Sequence, residues 1–166
     1  MDQKLAVRFT RQLLEELSHL GSYPAQDIPV EISSKLVHLS RMDMLTLFGS
    51  DELHPVRNLS QPGQYLCQER VRLSGPKGVL ENVAIIGPVR EHTQIEISAT
   101  DAAVLGVKPP VRLSGDLAGS ETLFIQTGFS MIEAKESTII ARRHIHIHSD
   151  EADKYGIRDG DIVDVR

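Results

Sequence analysis

Apolar residues recur every three or four positions in the first twenty residues, the spacing of one helix face. They are Phe9, Leu13, Leu14, Leu17 and Leu20. Gly21 ends the pattern, and Pro24 and Pro29 prevent the helix from continuing. The pattern predicts an amphipathic helix over residues 1–21 and a linker over residues 22–27. Most such helices pack on their own domain; the alternative is a helix that docks on a partner or a shell.

After residue 28 the pattern changes to short alternating segments separated by glycine and proline. A strand is predicted at residues 30–33. A short helix is predicted to begin after Ser40 and to end at Gly49. Ser40 and Asp43 have the spacing of a capping box at its start. Many short strands with turns between them are typical of barrels or sandwiches. The further predicted strands are residues 68–74, 80–86, 94–98, 111–113, 122–126, 137–148 and 161–166.

A five-residue motif occurs twice, forty residues apart. Val-Arg-Leu-Ser-Gly is found at residues 71–75 and again at residues 111–115. The two copies indicate either two similar β lobes or coincidence in a strand-rich chain.

Composition narrows the classes of function. The 166 residues support one domain or two small lobes, and 18 Lys plus Arg against 23 Asp plus Glu give a net charge of −5. This balance argues against sequence-independent nucleic-acid binding. The sequence has no apolar run of membrane-spanning length and no secretory signal, and Cys67 is its single cysteine. We therefore expect a soluble, cytoplasmic protein with no membrane or nucleic-acid partner, and Cys67 buried or inert.

Three alternating histidines carry the strongest chemical signal. His144, His146 and His148 would share one face of a strand over residues 137–148, about 6.5 Å apart by rise. Imidazole is a common zinc ligand, so the pattern favours a metal site over a histidine-rich polar edge.

Other candidate residues are ambiguous when each is taken alone. His38 ends a predicted strand, where a structural histidine is the simpler interpretation. Glu96, flanked by isoleucines, suits the solvent face or a ligand position. Arg90 follows an apolar strand, where it could bind phosphate through two hydrogen bonds or lie on the surface. Residues 75–78 form either a plain turn or a ligand-binding turn, and the chain has no phosphate-loop or nucleophile-elbow motif.

Taken together, the motifs resemble phosphate propanoyltransferase, the propanediol-utilization type of phosphotransacylase. The similarity extends from about Ile28 to the C-terminus and implies a mainly β fold of two small β-barrels capped by short helices over residues 28–166. The motifs, in order, lie at residues 37–40, 58–64, 75–78, 81–83, 87–90, 93–98, 101–107, 109–112, 114–120, 141–146 and 159–163.

The resemblance also implies a chemistry. Members of this family transfer an acyl group between coenzyme A and inorganic phosphate at a site with two zinc ions. Carried over position by position, the metal ligands are His38, Glu96, His144 and His146, and Arg90 holds the phosphate. In this family such an N-terminal helix can direct the enzyme to a bacterial microcompartment shell, and a homo-oligomer is a further candidate assembly.

Two positions depart from the family pattern. The family has a histidine two residues before His38, where this chain has Leu36. The family also continues past residues 159–163 with further strands and another histidine, whereas this chain stops at Arg166. His148 is a candidate substitute ligand, and the missing strands are expected to leave one barrel with open edges. Two hypotheses follow: a working acyltransferase with a modified zinc site, or a degenerate relative that acts as a binding or assembly protein.

Overall fold

The computed structural model describes residues 35–165, and residues 32–146 form one compact unit, with the residues from Ile147 onward assigned to a second. The predicted helix over residues 1–21, the linker and the strand at residues 30–33 lie outside the described residues. The elements are β1 (Leu36–His38), α1 (Arg41–Phe48), β2 (Pro55–Asn58), β3 (Tyr65–Ser74), β4 (Val79–Gly87), β5 (Gln94–Glu96), α2 (Ala99–Leu105), β6 (Val111–Arg112), β7 (Glu121–Gln126), β8 (Met131–Ala141) and α3 (Ser149–Tyr155).

Six strands close into a barrel. They pair in the order β3, β4, β1, β5, β8 and β7, and β7 pairs with β3 to complete the circle. The β1–β4 and β5–β8 pairs are parallel, and the other pairs around the circle are antiparallel. Strand β2 adds to the edge of β3, and β6 adds to β8. The prediction of a mainly β fold of small barrels with short helices is confirmed, and the described strands close one such barrel.

The barrel interior follows from the alternation of apolar and polar residues along the strands. Buried and more exposed residues alternate along parts of β3 and β7, and many of the buried side chains have no exposed surface. The fully buried apolar residues include Val37, Cys67, Leu73, Val83, Ile85, Ile95, Ile125 and Ile139. The prediction that Cys67 is buried is confirmed.

The helices begin and end where local chemistry requires. The Ser40 side chain accepts a hydrogen bond from the Asp43 backbone at the start of α1, and Gly49 ends that helix with a φ of 69°. Glycine suits this left-handed conformation because it has no Cβ. Ser98 and Asp101 form a complete capping box at the start of α2. The predicted helix after Ser40 is confirmed. In residues 35–165 no helix is both long and apolar enough to cross a membrane.

Strand pairing decides which predicted strands form. The strands expected at residues 68–74, 80–86 and 122–126 lie within β3, β4 and β7, and those at 94–98 and 111–113 form over shorter spans. The strand predicted over residues 137–148 is confirmed only as far as Ala141, within a β8 that starts earlier, and is wrong for residues 142–148. Its neighbour β6 has only two residues, so the ladder cannot continue to the histidines. Residues 161–165 are also not a strand.

The repeated motif does not mark two equivalent lobes. The first copy runs along the ten-residue β3 of the barrel, whereas the second copy begins in the two-residue β6 and continues into a loop. The two copies therefore have different structural neighbours and different roles.

Candidate functional site

Four side chains share the face of β1 and β5 opposite the barrel core. In this antiparallel pair Leu36 lies across from Glu96, and His38 lies across from Gln94. Val37 and Ile95 alternate with them and fill the core. Although they point away from the barrel interior, His38, Gln94 and Glu96 are all buried. Removing polar side chains from water costs free energy. Polar side chains that are nevertheless buried are typical of a functional site.

His38 has the geometry of a neutral metal ligand. Its Nδ1 lies 3.1 Å from the Ile86 carbonyl oxygen, to which the ring N–H donates. Burial, and then the charge of Arg90, lower the His38 pKa from 6.5 to about 4. The ring is therefore neutral near pH 7, and its Nε2 carries a free lone pair. A hydrogen bond from the opposite ring nitrogen to a carbonyl is the usual support of a metal-binding histidine.

His144 and His146 meet although they do not lie on a strand. Their Nε2 atoms are 3.0 Å apart, and the rings pack edge to face at a centroid distance of 4.6 Å. The Nδ1 of His144 lies 2.6 Å from the Arg142 carbonyl oxygen, which orients the ring. Two nitrogens bound to one tetrahedral zinc at 2.0–2.1 Å would be about 3.3 Å apart, close to the spacing seen here.

Glu96 lies close enough to this pair to act on it electrostatically. The pKa of His146 is lowered by burial and by the neighbouring His144, and the Glu96 carboxylate opposes this shift. The same carboxylate opposes the lowering of the Arg90 pKa that burial causes. Glu96 therefore interacts electrostatically with both His146 and Arg90.

Arg90 enters the site from the end of β4. Strands β1 and β4 are parallel, so residues that follow them reach the same edge of the sheet. The Arg90 backbone N–H donates to the Leu39 carbonyl at 2.9 Å, and its Nη1 donates to Ser114 Oγ at 3.0 Å. Within residues 35–165 the guanidinium has no ion pair and only that one hydrogen bond. A half-buried cation with free donors is suited to an anionic ligand.

The set of donors suits zinc in chemical type. Three imidazoles and one carboxylate are ordinary zinc ligands, and the nearly meeting Nε2 atoms give two of them ligand spacing. Among residues 35–165 no three acidic, histidine or cysteine side chains gather into one metal-binding group. Leu36, opposite Glu96, supplies no donor.

His148 lies in the unit that follows residue 146 and has a local role there. It occupies the N-cap of α3, and its Nδ1 accepts a hydrogen bond from the Asp150 backbone at 3.3 Å. The Asp150 carboxylate is 3.6 Å from the same nitrogen. Its role as a substitute ligand stays a prediction.

Sequence reasoning missed two polar residues of the site. Gln94 Nε2 donates to Glu96 Oε1 at 2.6 Å and to Ser114 Oγ at 2.8 Å. Ser114 belongs to the second copy of the repeated motif, whose departure from β6 into a loop brings it there. The only sequence signal was that Gln94 and Glu96 are two residues apart and therefore share a strand face.

The turn at residues 75–78 is structural. Its Gly75 N–H bonds the Gly78 carbonyl at 2.9 Å, and the Lys77 N–H bonds the carbonyl of Leu105 in α2 at 3.0 Å. The first bond closes the turn, and the second holds it against α2.

Comparison with known proteins shows which family this chain is related to. The family model for phosphate propanoyltransferase matches residues 29–166. The chain belongs to this family. A phosphate propanoyltransferase from Thermotoga maritima is 52% identical over 139 residues, which cover 83% of this chain and 66% of the relative. Those from Alkaliphilus metalliredigens and Shewanella putrefaciens are 42% and 41% identical, over 100% and 99% of this chain and 78% and 75% of theirs.

Membership in the phosphate propanoyltransferase family confirms the resemblance found in the motifs. The relatives are named as acyltransferases, so the family is one of enzymes. This chain spans just under two thirds of the length of the Thermotoga relative.

Proposed function

We propose that this protein transfers a short acyl group, propanoyl or acetyl, between coenzyme A and inorganic phosphate at a zinc site formed by His38, Glu96, His144 and His146. The observation that carries the proposal is the half-buried Arg90, whose guanidinium has one hydrogen bond and no ion pair within residues 35–165 and interacts electrostatically with His38 and Glu96. The names of the relatives support the reaction class.

Arg90 binds and orients the phosphate in this proposal. Its planar fork can donate two parallel hydrogen bonds to phosphate oxygens while Nη1 stays bonded to Ser114. Partial burial strengthens this attraction because little water screens the charge. Holding phosphate next to the thioester removes much of the entropy cost of bringing two substrates together.

The reaction balances without a covalent enzyme intermediate. An oxygen of hydrogen phosphate forms a bond to the thioester carbonyl carbon, and the carbon–sulfur bond breaks. Coenzyme A leaves as a thiolate and takes the phosphate proton, which gives acyl phosphate and free thiol. When bound, zinc supplies Lewis-acid polarisation of the carbonyl or phosphate oxygen. Cys67 is no candidate nucleophile, because its side chain is buried and burial raises its pKa to about 11.

The test is phosphate-dependent thiol release from propanoyl-CoA by the purified chain with zinc supplied. We expect turnover in the parent chain and a loss of about 100-fold or more in Arg90→Ala, because a donor aimed at developing charge is removed. Arg41→Ala is the matched control, since it removes an exposed arginine paired with Asp51. Absence of turnover in a folded, zinc-supplied parent chain would contradict the proposal.

The second candidate is a relative that keeps the barrel but serves as a binding or assembly protein. Two observations favour it: Leu36 faces Glu96 where a donor would complete the site, and no three ligands gather within residues 35–165. Zinc content distinguishes the two candidates. A binding protein that lacks the zinc site would contain no zinc after purification and would take up none when zinc is added.

A further inference from the structure

The buried amide of Gln94 uses all of its hydrogen-bonding groups inside the site. Its Nε2 donates to Glu96 Oε1 at 2.6 Å and to Ser114 Oγ at 2.8 Å, and its Oε1 accepts from the Gly115 N–H at 2.8 Å. The side chain is 1% exposed. A buried amide that is fully satisfied holds one orientation.

The partners determine that orientation. The Gly115 N–H can only donate, so it must face the amide oxygen. An ionised carboxylate can only accept, so Glu96 must face the amide nitrogen. Rotating the amide by half a turn would place two donors together and two acceptors together. Gln94 therefore holds Glu96 and the loop at residues 114–115 in one fixed relation.

Ser114 extends this connection to Arg90. Its hydroxyl oxygen accepts from Gln94 Nε2 and from Arg90 Nη1 at 3.0 Å. One short chain of hydrogen bonds thus joins Glu96, Gln94, Ser114 and Arg90. The first of these is a candidate metal ligand and the last the candidate phosphate-binding residue.

We propose that Gln94 is a positioning residue that couples the two halves of the site, since it orients the Glu96 carboxylate directly and the Arg90 guanidinium through Ser114. This inference rests on the proposed function. It differs from that function by assigning a role to two residues that contact neither the metal nor the phosphate in the proposal. Such supporting hydrogen bonds decide how accurately ligands are held.

The experiment compares three variants in the full chain. Gln94→Met keeps the side-chain length and removes every hydrogen bond of the amide. Ser114→Ala removes the hydroxyl that accepts from both Gln94 and Arg90, so it breaks the link to Arg90 and leaves the Gln94–Glu96 bond in place. Ser114→Thr restores a hydroxyl. Thr138→Val is the matched control, because Thr138 is buried on neighbouring β8 and its hydroxyl has no hydrogen-bond partner among residues 35–165.

Two quantities are measured: the zinc dissociation constant, by competition with a chromophoric chelator, and the KM for phosphate separately from kcat. We expect Gln94→Met to weaken zinc binding about 10- to 100-fold and also to raise the phosphate KM. We expect Ser114→Ala to raise the phosphate KM about tenfold with zinc affinity unchanged, and Ser114→Thr to recover most of this loss. Thr138→Val should alter neither quantity.

The outcomes separate this inference from the proposed function. If a folded Gln94→Met chain binds zinc as tightly as the parent, the positioning role is wrong, whether or not any variant turns over substrate. A parent chain that binds no zinc also overturns it, because Glu96 would then not be a ligand. If zinc binding responds as expected but the parent shows no acyl transfer, the positioning of Glu96 by Gln94 is supported and the proposed acyl-transfer function is wrong.

Discussion

Leu36 lies directly across from Glu96 in the antiparallel pair of β1 and β5. Directly opposed residues have Cβ atoms about 4.5–5.5 Å apart, so a donor at position 36 would reach an ion held by the carboxylate. The resemblance in the motifs implies a histidine at this position. In the proposed zinc site, Leu36 therefore lies directly beside the Glu96 ligand and not at the edge of the site.

Leu36→His should increase zinc affinity by at least about tenfold, because an additional ligand would enclose an ion beside Glu96. The measurement is competition with a chromophoric chelator, together with the zinc content per chain. Val56→His is the control, since it adds a histidine to the exposed strand β2. Equal zinc affinity in Leu36→His and the parent chain would show that position 36 does not face the ion.

Gly75→Ala should destabilise the barrel by about 1–3 kcal/mol through overpacking. A Cβ at Gly75 would lie 2.4 Å from the Leu105 carbonyl oxygen and 2.9 Å from the Leu105 Cβ, so α2 would have to move. Urea unfolding measures the loss. Gly128→Ala is the matched control, because a methyl group at Gly128 would meet no atom within 4 Å and the φ of this glycine is not left-handed. Equal stability of the two variants would show that α2 yields without cost.

The Cys67 thiol should not react with a chromogenic disulfide while the chain is folded. It has no exposed surface, and burial, followed by the charge of Glu69, raises its pKa to about 11. About one thiol in a thousand is therefore ionised at pH 8, and reagent cannot reach it. Labelling should begin only with unfolding in urea. Phe129→Cys, at a position 93% exposed, should label at once in the folded chain, and rapid labelling of Cys67 itself would contradict its burial.

The contact between His54 and Glu69 should make stability depend on pH. Their Nδ1 and Oε1 are 2.5 Å apart, and this hydrogen bond, and then the Glu69 charge, raise the His54 pKa. Burial acts to raise the Glu69 pKa, but the hydrogen bonds from His54 have the larger combined effect, so the Glu69 pKa is lowered. A raised histidine pKa contributes stability that is complete below about pH 6.5 and is lost as the pH rises through the folded value. A lowered carboxyl pKa contributes stability above about pH 4.3 that is lost as the pH falls through the folded value.

The pair should therefore stabilise the fold most between these two limits. His54→Gln should lower the thermal midpoint near pH 5.5 and have little effect near pH 9. His92→Gln is the control, because the His92 ring only approaches Glu91 at 3.9 Å. If His54→Gln lowers the thermal midpoint equally at both pH values, the contact stabilises the fold independently of the charge on His54.

The sequence by itself determined the class of fold, the family and most of the candidate residues. Alternation of apolar and polar residues depends on short-range geometry, so it located β3, β4 and β7, and the Ser40 cap located α1. The ordered motifs identified His38, Arg90 and Glu96 as candidates, because related sequences keep the local neighbours of such positions.

Only the tertiary structure decided where strands end and which polar groups meet. The strand expected through His148 ends at Ala141 because the length of the neighbouring β6 limits pairing, which no local pattern reveals. The hydrogen bond between Gln94 and Ser114 joins residues twenty positions apart, and it exists because the loop after β6 folds over β5. Contacts of this kind depend on barrel closure and strand register, so they appear only when the whole chain has folded.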